Sequence, residues 1–588
     1  MDCVVFLCFL THPTYLLPFM RKLYFILTLL LCFFMAEAQT GSDTNINIPE
    51  NEIAINASSE TNTLSPLSFT SSNLPIVLIN TYGQSIPDDP KIGAWIKILN
   101  NGPGVRNYTT DAPEFEGRMG IEIRGSSSQS FPKKSYGFEL WDAGDNSVDT
   151  SLLGMPAESD WILNANYTDK TFLRNVMAYQ LWQNMGHYAT RYQFVEVVLN
   201  GVYKGIYVFS EKIKRDNDRV DIAKLEPDEN SGDEITGGYI IKVDKPTGSG
   251  GDGWTSFYPP PVNPGGQTIF FQYEYPKQED ITPQQKGYIK DFMFDFETSL
   301  KSPNFTDPEN GYRKYVEGLT FIDYFMVNEL SKNVDGYRLS TFLHKEIDSK
   351  GGKLRMGPVW DYDIAWHNAD YCEGEFSFGW AYQFPCDYDY YQIPFWWSRL
   401  LEDPEYKNDL KCRWLSLRQT IISNAWFDNY IDSISGLLME AQERNFTTWP
   451  ILGIYVWPNP WPYPATYQGE IDVLKTWMHN RLIWLDTNMP GTCDATSVPG
   501  FAAAEKSLSI YPNPVSDQMN VEYRTNSESQ VQFTVINQQG SILQTINTFS
   551  RSPGKWIETI DMSAYAPGVY LLQMKIGGKQ FTDRFIKL

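Results

Sequence analysis

The segment GPVWDYDIAWHN, residues 357–368, sets two carboxylates, Asp361 and Asp363, among Trp360, Tyr362 and Trp366. Residues i and i+2 of a strand face the same side and hard cations take carboxylate oxygen, so the pair reads as a strand-end site for a divalent cation. A strand end whose carboxylates are solvated or bonded to backbone is the other reading of the same residues. The flanking sequence bears on the choice.

Upstream, LTFIDYFMVNELSKNVDGYRLSTFLHKE (319–346) reads as an apolar helix that runs into a polar turn at Lys332 to Gly336, with Asp335 in the turn, and leaves on a strand. KLRMGPVWDYDIAW (353–366) gives a further strand ending on the paired carboxylates. Helix, loop aspartate, strand, turn and strand-end aspartate is the order in which protein-kinase-like folds set a catalytic base and then a magnesium ligand.

Further out, IEIRGSSSQSFPKKSYGFEL (121–140) reads as a strand, a Ser-rich turn and a return strand carrying Lys133 and Lys134. Such a turn offers N–H groups and hydroxyls to an anion, and a lysine adds a point charge for phosphate; a solvated hairpin tip is the plainer reading. In DWILNANYTDKTFLRNVMAYQLWQNMG (160–186), Leu173, Val176, Met177, Gln180, Leu181 and Met185 recur at helical spacing, a core-facing stripe beside Arg174. YQFVEVVLNGVYKGIYVFSEKI (192–213) is two strands joined by Asn-Gly, and GGYIIKVDK (237–245) adds another.

Composition narrows the function classes. A net charge of −23 argues against a nucleic-acid groove, which needs clustered Lys and Arg. Arg21 and Lys22, the apolar run from Leu23 to Met35 and the Ala36-Glu37-Ala38 pattern read as a signal peptide over 1–38, with Met20 the better placed start and no stable membrane span after cleavage. Of the seven cysteines, Cys372, Cys386, Cys412 and Cys493 then remain, which suggests two disulfides with Cys372–Cys386 expected first. Residues 39–73 read as a Ser/Thr/Asn-rich disordered linker, 74–486 as the body, 487–506 as a second linker and 507–588 as a small antiparallel β-sandwich of alternating strands.

That last segment closely resembles the type A C-terminal sorting domain of the type IX secretion system, through YPNP (511–514), GVYLL (568–572) and RFIKL (584–588). The resemblance implies contact with that machinery and passage through the periplasm of a Bacteroidetes-type bacterium to the cell surface or beyond.

The body, taken through RGSSSQSFPKKSYGFEL, DWILNANYTDKTFLRN, NGVYKGIYVFSEKI, NVDGYRLSTFL and GPVWDYDIAW, resembles the CotH kinase family. The resemblance implies an α+β fold with a divergent protein-kinase-like domain, ATP as phosphoryl donor with Mg²⁺ or Mn²⁺, and Ser or Thr of exported or surface proteins as acceptor. It carries over Asp335 as the catalytic aspartate and Asp361 as a metal ligand assisted by Asp363. It also carries over Arg124, Ser126, Ser127 and Lys133 or Lys134 as nucleotide contacts, with Glu211 touching the nucleotide or ordering a lysine. Ser340 stands where protein kinases place the Asn that holds a second magnesium, and its hydroxyl is carried over as a third candidate metal ligand.

Two other functions fit parts of the chain. A scaffold without catalysis could bind surface ligands through the acidic, aromatic segment DYCEGEFSFGWAYQFPCDYDYYQIPFWW (370–397), which also reads as a packed, disulfide-stapled insertion. A glycoside hydrolase needs two carboxylates at a set separation, and nothing in the sequence fixes such a pair.

Overall fold

Period-two alternation builds the first half. In the computed structural model, which describes residues 69–247, 251–494 and, with short interruptions, 508–587, seven strands close into a barrel. They are β1 (Ile76–Asn80), β2 (Ile92–Leu99), β3 (Phe115–Arg124), β4 (Ser135–Trp141), β5 (Asp160–Asn164), β6 (Tyr192–Leu199) and β7 (Val202–Glu211), in spatial order β1-β2-β3-β4-β5-β7-β6. Alternate residues fill the interior: Val77 and Ile79, Ile96 and Ile98, Met119 and Ile121, Trp161 and Leu163, Tyr207 and Phe209 belong to one buried cluster. The signal segment, most of the 39–73 linker, most of 487–506 and Pro512 and Pro514 of YPNP lie outside the described residues.

Both expected hairpins are present. β6 and β7 turn through Asn200 (φ 50°) and Gly201 (φ 77°), two successive left-handed residues that match the strand twist. The Ser-rich turn between β3 and β4 carries a short 3-10 helix at Ser127–Ser130. Closure comes from the parallel pairing of β1 with β6, a contact between segments far apart in sequence.

The second half is a five-stranded antiparallel sheet and most of the helices. The sheet runs β9 (Gly253–Thr255), β10 (Phe270–Tyr275), β8 (Tyr239–Val243), β11 (Thr341–Lys345) and β12 (Leu354–Met356). The helices of the body are α1 (Arg174–Asn184), α2 (Pro283–Lys301), α3 (Gly318–Ser331), α4 (Trp396–Leu400), α5 (Pro404–Arg418), α6 (Asn424–Thr448) and α7 (Tyr467–Asn488). Nearly every residue of α3 is buried, and its Glu329 meets Arg481 of α7 in the core at 3.3 Å. Helix α3 ends on Lys332 at φ 44°, whose N–H bonds back to the Asn328 carbonyl and releases the chain into the Asp335 turn.

One strand expectation is corrected. β12 stops at Met356, five residues short of Asp361, because Pro358 has no N–H to continue a ladder and Asp361 adopts φ 68°. Asp361 and Asp363 therefore occupy a loop, and strand alternation is not what brings them together. Both disulfides form as expected in number, with Cα–Cα distances of 5.4 Å for Cys372–Cys386 and 4.7 Å for Cys412–Cys493.

At the C-terminus are two antiparallel sheets. One holds β13 (Leu508–Tyr511), β14 (Gln518–Thr525) and β17 (Gly554–Asp561); the other holds β15 (Val531–Asn537), β16 (Ile542–Asn547), β18 (Gly568–Ile576) and β19 (Lys579–Lys587). Val521, Tyr523, Phe533, Val535, Leu572 and Phe585 from both sheets share one core. Among the described residues no helix is long and apolar enough to cross a membrane.

Candidate functional site

A cleft of about 410 Å³ opens where the barrel faces the five-stranded sheet. The β3–β4 turn supplies Arg124, Gly125, Ser126, Ser127 and Ser128 to its wall, and the chain leaving β7 supplies Lys212. The sheet supplies Lys242, Asp244, Lys245 and Glu274; the loop after α3 supplies Asp335 and Ser340; the loop after β12 supplies Trp360, Asp361 and Asp363. Residues more than 200 positions apart thus converge, and five blocks noted in the sequence border one space.

The second loop is held by polar anchors from two helices. The Tyr362 N–H donates to Asn175 Oδ1 at 2.6 Å and its hydroxyl donates to Asn328 Oδ1 at 3.1 Å. The Trp366 N–H donates to the Ser331 carbonyl at 2.7 Å, its indole N–H donates to the Arg174 carbonyl at 3.1 Å, and Asn368 Nδ2 donates to the Asp363 carbonyl at 2.7 Å. Arg174 itself is buried and paired with Asp169 at 2.5 Å. Tyr362 and Trp366, almost fully buried, thus pack the loop from below, while Trp360 and the carboxylates remain at the cleft.

Left-handed backbone at residues other than glycine gathers in these two loops: Lys332, Tyr337 and Ser340 in the first, Asp361, Trp366 and His367 in the second. Such conformations persist where surrounding contacts over-determine them, and they concentrate at functional sites.

Asp361 is exposed, but the surface it exposes is the cleft floor, where surrounding protein solvates its charge poorly. Burial within that floor, followed by the charge of Asp244, raises its pKa, against the Ser340 hydrogen bond and the Arg124 and Lys245 charges. Asp363 is pushed well above the ordinary carboxylate range by burial and by Asp361, Asp169 and Asp335. Burial likewise raises Asp335 while Arg338 opposes it. Carboxylates that raise one another favour a cation among them. Among the described residues no three His, Cys, Asp or Glu side chains are grouped to hold a metal, so a cation at Asp361 and Asp363 would complete its shell with water or ligand oxygen. That donor set suits a hard divalent ion.

The opposite wall carries positive charge. Among the described residues the side chains of Arg124, Lys212 and Lys245 have no hydrogen-bond or ion-pair partner, whereas Lys242 pairs with Glu274 at 3.2 Å. Arg124 lies over the Trp360 ring, 5.7 Å from its centroid. Burial lowers the pKa of Arg124 and of Lys212. Asn175 lines the same cleft with its Nδ2 buried and without a partner among the described residues.

Three expected contacts lie elsewhere. Lys133 is buried away from the cleft, donating to the Ile206 carbonyl at 2.5 Å and Asn445 Oδ1 at 3.1 Å and facing the Tyr207 ring. Lys134 donates to the carbonyls of Gln129 and Phe131, both at 2.6 Å, and so ties down the turn. Glu211 is fully buried between Arg191 at 2.8 Å and Arg219 at 3.1 Å. The cleft lysines are Lys212, Lys245 and the Glu274-paired Lys242, none of which the sequence reading singled out. Lys212 directly follows Glu211 at the end of β7, and Lys245 stands just past β8, the strand expected in GGYIIKVDK.

Residues 509–588 match the Secretion system C-terminal sorting domain, a type IX signal that directs the protein to secretion or the cell surface. A search of curated proteins returns no match. Residues 121–485, more than half of the chain and all of the loops that border the cleft, match the CotH kinase protein model, and the chain belongs to that family.

Proposed function

We propose that the cleft binds a nucleoside triphosphate with a divalent cation and transfers its γ-phosphoryl group to a Ser or Thr hydroxyl of an exported or surface protein. The observation that carries this reading is the placement, across one cleft, of three cations without a hydrogen-bond or ion-pair partner among the described residues, Arg124, Lys212 and Lys245, opposite the carboxylates Asp335, Asp361 and Asp363. Cations with free hydrogen-bond donors beside a serine-rich turn suit phosphate oxygens. The order of helix, Asp335 loop, two strands and Asp361 loop supports a divergent kinase-like scaffold, and the shared core of the C-terminal sheets supports a small β-sandwich.

In this reading Arg124, Lys212 and Lys245 grip the phosphates, with Ser126 and Ser127 beside them. Asp361 and Asp363 would hold Mg²⁺ or Mn²⁺, which when bound offsets charge on the transferring phosphoryl group. Ser340 fixes Asp361 through its hydroxyl. Asp335 takes the proton of the acceptor hydroxyl as that oxygen bonds to the γ-phosphorus and the bond to the departing nucleoside diphosphate breaks. Burial makes Asp335 a stronger base than a solvated aspartate, which suits this role.

The test is transfer of labelled phosphate from ATP to Ser/Thr acceptor proteins by the purified chain and its Asp335→Asn variant. Transfer that falls on the order of 10²- to 10⁴-fold in the variant, with nucleotide still bound, supports the reading; equal transfer by both rejects it.

A second reading has one observation in its favour. Ser340 lacks the amide that holds a second metal in protein kinases, and it spends its hydroxyl on Asp361. A nucleotide-binding surface protein without transfer would show binding and no labelled product.

A further inference from the structure

The buried guanidinium of Arg338 joins Asp335 to residues 384–391, at and just past the Cys372–Cys386 disulfide. Arg338 Nη2 donates to Asp335 Oδ1 at 2.6 Å and Nε donates to the Val334 carbonyl at 2.8 Å. From the other side Nη1 donates to the Tyr391 carbonyl at 2.9 Å and pairs with Asp389 Oδ2 at 3.2 Å, and the guanidinium lies 4.2 Å from the Phe384 ring centroid. Every face of the group is therefore committed, half to the Asp335 loop and half to residues 384–391.

That second segment is itself pinned. Cys386 is bonded to Cys372, next to Tyr371 of the cleft wall. Gln392 Nε2 donates to the carbonyls of Cys386 and Asp389, both at 2.9 Å. On the far side of the disulfide, Lys332 Nζ donates to the Glu373 and Phe378 carbonyls, so the stapled loop also grips the residue that ends α3. Asp335 and the rest of residues 333–337 lie between these two attachments, at Lys332 and Arg338.

We infer that Arg338 is a positioning residue for Asp335, and that residues 384–391, anchored at the Cys372–Cys386 disulfide, are the brace that holds Arg338 and thereby the geometry of the Asp335 turn. This rests on the role given to Asp335 above. A planar guanidinium with fixed donors sets the direction of a carboxylate in a way a flexible ammonium does so only partly. The brace forms only outside the cytoplasm, because a disulfide of this kind closes after the chain leaves that reducing compartment.

The test compares full chains carrying Arg338→Gln, Arg338→Lys, Asp389→Asn and the double change Cys372→Ser/Cys386→Ser. Amide hydrogen exchange over 333–340 reads the brace directly and needs no activity. Faster exchange there in Arg338→Gln and in the double Ser chain, with the barrel strands unchanged, is expected; wild-type exchange in both overturns the inference. Where transfer is measurable, Arg338→Gln is expected to lower kcat on the order of 10²-fold, the cost of a small misplacement of a reacting group, with KM for ATP little changed. Arg338→Lys recovers part of that loss. A fall confined to KM, or a Lys variant no better than Gln, contradicts positioning. Calorimetric ATP binding by the wild-type chain is run alongside: absent binding rejects the nucleotide reading, while the exchange result still decides the brace.

Discussion

Ser340 donates its hydroxyl hydrogen bond to Asp361 Oδ2 at 3.2 Å, joining the loop after α3 to the loop after β12 across 21 residues of sequence. Both residues hold left-handed backbone, φ 46° and 68°. The bond stabilises the ionised form of Asp361 against its burial and the charge of Asp244. Ser340→Ala is expected to weaken divalent-cation binding by about 5- to 10-fold, the worth of a hydrogen bond near 1 kcal/mol. Titration of Mn²⁺ followed by its paramagnetic signal measures this; unchanged affinity would remove Ser340 from the site.

Asp363 gives a pH signature. Its folded-state pKa stands well above the ordinary carboxylate value, so the folded chain holds the proton more tightly than the unfolded chain. The stability it contributes is complete below about pH 4, the unfolded value, and is lost as pH rises through the folded one. Asp363→Asn is therefore expected to raise Tm at pH 7 to 8 and to match the wild type near pH 4. Melting curves from pH 4 to 8 without added metal check it; a gain independent of pH, or a loss at pH 8, would contradict the placement of Asp363 among like charges.

The unpartnered lysines separate the two pairs of candidates. Lys212→Met and Lys245→Met are each expected to weaken binding of ATP on the order of 10- to 100-fold, the range of a charge-assisted hydrogen bond. Lys134→Met, whose ammonium is satisfied by two carbonyls of its own turn, leaves ATP affinity unchanged. Calorimetry on the three variants distinguishes them, and an effect confined to Lys134 would move the phosphate site to the turn itself.

The two disulfides differ in what they close. In the chain-entropy view the 81-residue separation of Cys412–Cys493 is worth about 4.5 kcal/mol and the 14-residue separation of Cys372–Cys386 about 3 kcal/mol. Replacing the first pair by serine is expected to lower stability more, and replacing the second to act more on the Asp335 loop. Denaturant unfolding of both double variants tests the ranking.

Much of this was legible in the chain. Asn200-Gly201, the alternation around Gly125 and the apolar run before Lys332 marked their hairpins and helix, because each signal is local. Barrel closure was not, since β1 pairs with β6 only in three dimensions. Asp361 was found for an incomplete reason: strand spacing suggested the site, yet Pro358 ends the strand and helix anchors such as Asn175 and Ser331 hold the loop. Lys133 misled because a lysine beside a Ser-rich turn looks the same in sequence whether it faces a cleft or, as here, a buried carbonyl. Lys212 and Lys245 lie just past strand ends, where alternation no longer says which way a side chain faces.

The central claim is that the cleft binds a nucleotide through a cation at Asp361. Its most direct test is calorimetric titration of the full chain with ATP in Mg²⁺, beside the same titration without Mg²⁺ and with Asp361→Asn. One site per chain, present only with Mg²⁺ and lost in the variant, is the expected result; equal binding by wild type and Asp361→Asn, or none at millimolar ATP, would contradict it.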